Sequence, residues 1–151
     1  MFGGVNSAAA VGERNYFNGG DYLVEVLTFE ARSGFKGDNA IARFRIVEVL
    51  QDYPSDGPYA ASNRAGEIVS VVYPLSAGRH RDFHLGRLRQ LAETILGPVE
   101  DLESALAAAS TPPGTVWAGV RLRATGTRSV KADKAPIVNV SFAPVFAPVS
   151  E

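Results

Sequence analysis

The sequence predicts a mainly β domain with a helical insertion, and three observations carry that prediction. Five segments are rich in β-branched and aromatic residues: 22–31, 40–50, 67–73, 116–126 and 137–142. One stretch between the third and fourth, 82–96, has apolar residues at helical spacing instead. Clusters of Gly, Pro, Asn, Asp and Ser punctuate the chain between these segments.

The elements follow in order. Residues 1–20 are rich in Gly, Ala, Asn and Ser without a sustained period and are expected to form an N-terminal arm, which Phe2, Tyr16 and Phe17 could anchor. Strand one begins after Gly19 and Gly20. The loop 32–39 carries two glycines and polar turn formers, a hairpin signal. In strand two, alternation assigns Ala42, Phe44, Ile46 and Leu50 to one face and Ile41, Arg43, Arg45 and Val47 to the other. A long loop, 52–66, leads to strand three, which Pro74 stops.

In the helix, Phe83, Leu88, Leu91, Ile95 and, less squarely, Leu85 form the expected apolar stripe, while Arg87, Arg89, Gln90 and Glu93 lie outside it. Asp82 suits the N-cap, and Gly97-Pro98 suits the end. A second, acidic helix is expected over 99–109. Strand four places Trp117, Arg121 and Arg123 on one face and Val116, Val120, Leu122 and Ala124 on the other. A basic loop, 127–134, precedes strand five. The tail, 144–151, continues a short Phe-Ala-Pro-Val repeat and is expected to be extended. Residues 21–143 thus form the expected domain. Five strands with one or two helices between the third and fourth is the element order of an OB-fold, a five-stranded barrel.

At 151 residues, 46% apolar and 21% charged, the composition is that of an ordinary globular domain able to bury a core. No apolar run reaches the roughly 18 residues of a membrane span, and the first residues lack the pattern of a secretory signal. A cytoplasmic location, with no membrane partner, is the expectation. With no cysteine, disulfides and thiolate metal sites are excluded. The net charge is −1, so attraction of a polyanion depends on how charge is distributed.

Base is concentrated around Arg43 and Arg45, in 79–89, and in 121–134. The candidate contact surface is Arg43 and Arg45 on strand two with Trp117, Arg121 and Arg123 on strand four. Arg32, Phe35 and Lys36 from the first loop, and Arg128, Lys131 and Lys134 from the last, would flank it. Single-strand binders need this mixture, because bases stack on aromatic planes while arginines follow the phosphates. Each Arg could equally cover a solvated face with its stem, and Trp117 could be core.

His80 and His84 have metal-ligand spacing, but His80 precedes the expected N-cap and no third ligand or zincin glutamate accompanies them. No nucleophile elbow, phosphate loop or dinucleotide fingerprint is present, so nothing in the sequence argues for an enzyme or a cofactor.

Three stretches, Asn15-Tyr16-Phe17 leading into Gly20-Asp21-Tyr22-Leu23-Val24-Glu25-Val26, Ala42-Arg43-Phe44-Arg45-Ile46-Val47, and Gly66-Glu67 opening strand three, together with the helix 87–97, resemble phage-type single-stranded-DNA-binding proteins of the OB-fold class. The resemblance covers roughly 15–142. It implies non-catalytic binding of single-stranded DNA in phage replication or recombination, hence a host cytoplasm. Bacterial single-strand binders often end in an acidic tail, whereas the chain as given ends Val149-Ser150-Glu151, so recruitment of partners through such a tail is not expected. The alternative expectation is a virion structural or interaction protein, a decoration, connector or tail component, assembling as a homo-oligomer through the arm or the tail. A sugar-binding barrel would use Trp117 but leave the arginines without a role.

Overall fold

The computed structural model describes residues 16–34, 37–75, 81–129 and 137–145. Strands β1 (Gly20–Gly34), β2 (Gly37–Gln51) and β3 (Ile68–Pro74) are followed by helices α1 (Arg81–Leu96) and α2 (Leu102–Ala109), then by β4 (Arg121–Ser129) and β5 (Ile137–Pro144). The fold is mainly β, and the element order is the expected one. All five strands lie in one antiparallel sheet of order β3-β2-β1-β4-β5. The expected barrel is not closed: β3 and β5 remain sheet edges.

The central pair β1 and β2 is long because Val, Ile, Phe and Tyr alternate along both strands. Tyr22, Val24, Val26 and Phe29 of β1 and Ala40, Ala42, Phe44 and Ile46 of β2 are buried on one face. Three register shifts interrupt the pairing. One leaves Val47 unpaired, so that Val49 rather than Leu50 returns to the core side opposite Tyr22. Leu50, expected inside, is 45% exposed for this reason.

Helix α1 buries Leu88, Leu91 and Ala92, spaced i, i+3, i+4 against the sheet. Phe83 lies well off that stripe and is exposed, contrary to its expected place; the Arg87 guanidinium lies over its ring at 5.1 Å. Asp82 lies inside the first turn rather than capping it, where its charge still complements the helix dipole. The Gly97 N–H, bonded to Glu93 O at 2.8 Å, ends the helix. Helix α2 is capped by Asp101, whose carboxylate accepts from the Ser104 N–H (3.1 Å) and hydroxyl (2.7 Å); these bonds hold its pKa below the ordinary value.

The fourth strand begins five residues later than expected. Ala118 N–H bonds Thr115 O, Val120 N–H bonds Trp117 O, and Gly119 takes a φ of 90°, so residues 115–120 are turns rather than strand. This segment still pairs irregularly with β1, through Val26 N–H to Val120 O (2.8 Å), Gly119 N–H to Val26 O (2.9 Å) and Phe29 N–H to Gly114 O (2.8 Å). Gly114 touches β1 so closely that a Cβ would stand 2.6 Å from Phe29 O.

Phe17, from the expected arm, packs among Tyr22, Phe44 and Phe142 at centroid distances of 5.8–6.1 Å. A buried polar network anchors the residues beside it. The Tyr22 hydroxyl donates to Asn18 O and Gly19 O and accepts from the Asn63 N–H. Asn63 Oδ1 accepts from the Asn18 N–H, and Ser62 Oγ donates to Gly19 O. Burial pushes the Tyr22 pKa up, against the opposing pull of the Asn63 and Ser62 hydrogen bonds.

Candidate nucleic-acid interface

The outer face of the sheet collects what alternation excludes from the core. Across β3, β2, β1 and β4, register aligns Ile68, Arg45, Glu25 and Arg121 in one row. The next rows pair Leu23 with Glu48 and Arg123, and Asp21 with Thr125. Two arginine-bearing strands are therefore separated by β1, which carries acid at matching positions.

Glu25 takes both neighbours: Oε2 accepts from Arg45 Nη2, and Oε1 lies 3.8 Å from Arg121 Nε. Asp21 Oδ2 lies 3.3 Å from Arg123 Nη2, and Oδ1 accepts from the Thr125 hydroxyl at 2.5 Å. The arginines overhang the acids. Side-chain exposure is 50%, 54% and 44% for Arg45, Arg121 and Arg123, against 17% for Glu25 and 23% for Asp21. Guanidinium thus overlies the Glu25 and Asp21 carboxylates, while the Glu48 carboxylate stays exposed in the row of Leu23 and Arg123. Such exposed pairs are worth about 0–1 kcal/mol each, so exchanging a carboxylate for another anion costs little.

The remaining expected residues divide. Arg43 is half-buried, stands in register with Thr28 and Ser70, and has an interaction of its own. Arg32 is exposed at the far end of β1 and forks onto Glu30 at 2.8 and 3.2 Å, away from the arginine rows. Trp117 corrects the expectation of a stacking platform. It is 3% exposed and stacks on Phe29 at 4.5 Å inside the core, because the turn over 115–120 reverses the alternation expected of a strand.

Arg128 is held by the β2–β3 loop. Its guanidinium donates to Pro54 O (2.8 Å) and Ala60 O (2.9 Å) and lies over the Tyr53 and Tyr59 rings at 5.6 and 5.4 Å. Its half-buried position makes it a staple for that loop. Phe35, Lys36, Lys131 and Lys134 lie outside the described residues, as does His80; His84 is half-buried in the first turn of α1. No three His, Asp or Glu residues among those described group as a metal set. No described helix is long and apolar enough to cross a membrane.

Sequence reasoning overlooked Asp21, Glu25 and Glu48. Period two in β1 already separates Asp21, Leu23 and Glu25 from Tyr22, Val24 and Val26, so the signal was present. That β1 lies between β2 and β4 was not. Comparison with protein-family models, with curated proteins and with solved structures finds no match.

Proposed function

We propose that this chain is a non-catalytic, sequence-tolerant single-stranded-DNA-binding protein whose contact surface is the outer face of β2, β1 and β4. One observation carries the reading: three exposed guanidiniums on the two strands that flank β1 overlie two more deeply set β1 carboxylates. A phosphate backbone laid over Arg45, Arg121 and Arg123 meets their guanidiniums before the Glu25 and Asp21 carboxylates, and each phosphate can take a guanidinium from a pair of low energy. With Trp117 in the core, affinity comes from phosphates rather than base stacking, which favours tolerance of sequence and strong salt dependence.

The test is fluorescence anisotropy of labelled oligo-dT, titrated with salt beside duplex DNA and RNA. Three phosphate contacts predict a slope of log K against log salt of about −2 for single strands. Replacing Arg45, Arg121 and Arg123 together by Gln should flatten it. Salt-independent binding, or none, would overturn the proposal.

The alternative, a virion structural protein, draws on the exposed apolar side chains Val116 and Phe83, at 66% and 56%, which a protein partner could cover. Absence of DNA binding together with assembly into large particles would favour it.

A further inference from the structure

The connection between β2 and β3, 52–66, is long for a link between neighbouring strands, yet its main chain is pinned along its length. Asp56 and Tyr59 exchange N–H to O bonds at 3.0 and 2.9 Å around Gly57, whose φ is 54°. Tyr53 and Ser62 close the base of the loop. The Ser62 N–H donates to Tyr53 O at 3.0 Å, and the Tyr53 N–H donates to Ser62 Oγ at 2.7 Å. Arg128 bonds Pro54 O and Ala60 O between those two anchor points. An ordered loop of this length usually carries function.

What the loop presents is aromatic. The Arg128 guanidinium lies over both the Tyr53 and the Tyr59 ring. Tyr59 is half-buried, whereas Tyr53 is 38% exposed. Among the described residues, no second ring or cation stacks on Tyr53.

The loop also continues the arginine face. Gln51, the last residue of β2, stands in register with Asp21, which holds Arg123. Tyr53 follows two residues later, within about 7 Å of Gln51. A strand running from Arg45 over Arg123 meets this loop as it leaves the sheet.

We infer that Tyr53 is a base-stacking residue: a nucleobase of the bound single strand stacks on the side of its ring opposite Arg128. The inference rests on the proposed function and adds to it. Across β3, β2, β1 and β4 the outer rows carry no aromatic side chain, so the sheet makes phosphate contacts and the loop supplies the stack. Phosphates remain the main source of affinity. Stacking keeps the tolerance of sequence, because every base has a π face. A ring already fixed by Arg128 and by the Ser62 bonds loses little freedom when a base joins it.

The test is anisotropy of the full chain with labelled oligo-dT and with an abasic strand of the same length. Tyr53→Leu should weaken oligo-dT binding by about fivefold or more. It should leave abasic binding and the salt slope unchanged, since a stack releases no counterions. Tyr53→Phe should bind as the wild-type chain does. A second measurement does not depend on how Tyr53→Leu folds: a strand carrying 5-iodouracil, irradiated on the wild-type chain, should cross-link to Tyr53. Oligo-dT binding unchanged by Tyr53→Leu, an equal loss on the abasic strand, or a cross-link that maps elsewhere overturns the inference and leaves the proposed function standing. Absence of oligo-dT binding by the wild-type chain overturns both.

Discussion

Gln90, on helix α1, hydrogen-bonds both main-chain groups of Phe142 on the edge strand β5: its Nε2 donates to Phe142 O, and its Oε1 accepts the Phe142 N–H at 3.3 Å. One primary amide thereby does for β5 what a sixth strand would do. It also binds the helix to the sheet beside the Phe44–Phe142 stack, whose rings lie 5.1 Å apart.

Gln90→Ala leaves that peptide group without its protein partners. It should cost about 1–3 kcal/mol, the scale for unsatisfying a partly buried donor and acceptor. Gln90→Glu should recover little, because a carboxylate cannot donate to Phe142 O. Urea denaturation of both variants checks this; equal stability to wild type would remove the clamp from the account.

Glu25 holds Arg45 and Arg121, so under the proposed function it competes with phosphate for them. Glu25→Gln should therefore tighten oligo-dT binding by about two- to fivefold, the energy scale of an exposed ion pair. Anisotropy at low salt measures it. Weaker binding would mean that Glu25 chiefly holds the arginines in place.

Trp117 is the only tryptophan, and it is buried against Phe29. Saturating oligo-dT should leave its emission nearly unchanged, whereas a stacked indole would be quenched. Trp117→Ala should cost about 3–5 kcal/mol of stability, as large core truncations do. Strong quenching on binding would contradict the core position.

Burial raises the pKa of Tyr22 and of Tyr73, so the folded state holds these phenolic protons more tightly than the unfolded chain does. Stability from this source is complete below the ordinary tyrosine pKa of about 10 and declines as pH rises above it. Thermal melts should show a falling midpoint above that pH. Tyr22→Phe should flatten part of the fall while lowering stability at neutral pH, since Asn63 N–H, Asn18 O and Gly19 O lose their partner.

Alternation and helical period in the sequence alone determined the mainly β class, the order of the elements and most of the core, because burial imposes a period of two on strands and 3.6 on helices. They failed where a local event breaks the period. The unpaired Val47 turned Leu50 outward, and the turns around Gly119 drew Trp117 into the core. The arginines of β2 and β4 were legible as a shared surface, but their partners were not. Only the tertiary structure decided that β1 lies between those strands, placing Glu25 and Asp21 beneath the guanidiniums, and that the sheet stays open at β3 and β5. Strand neighbours are chosen by contacts distant in sequence, and no local pattern records them.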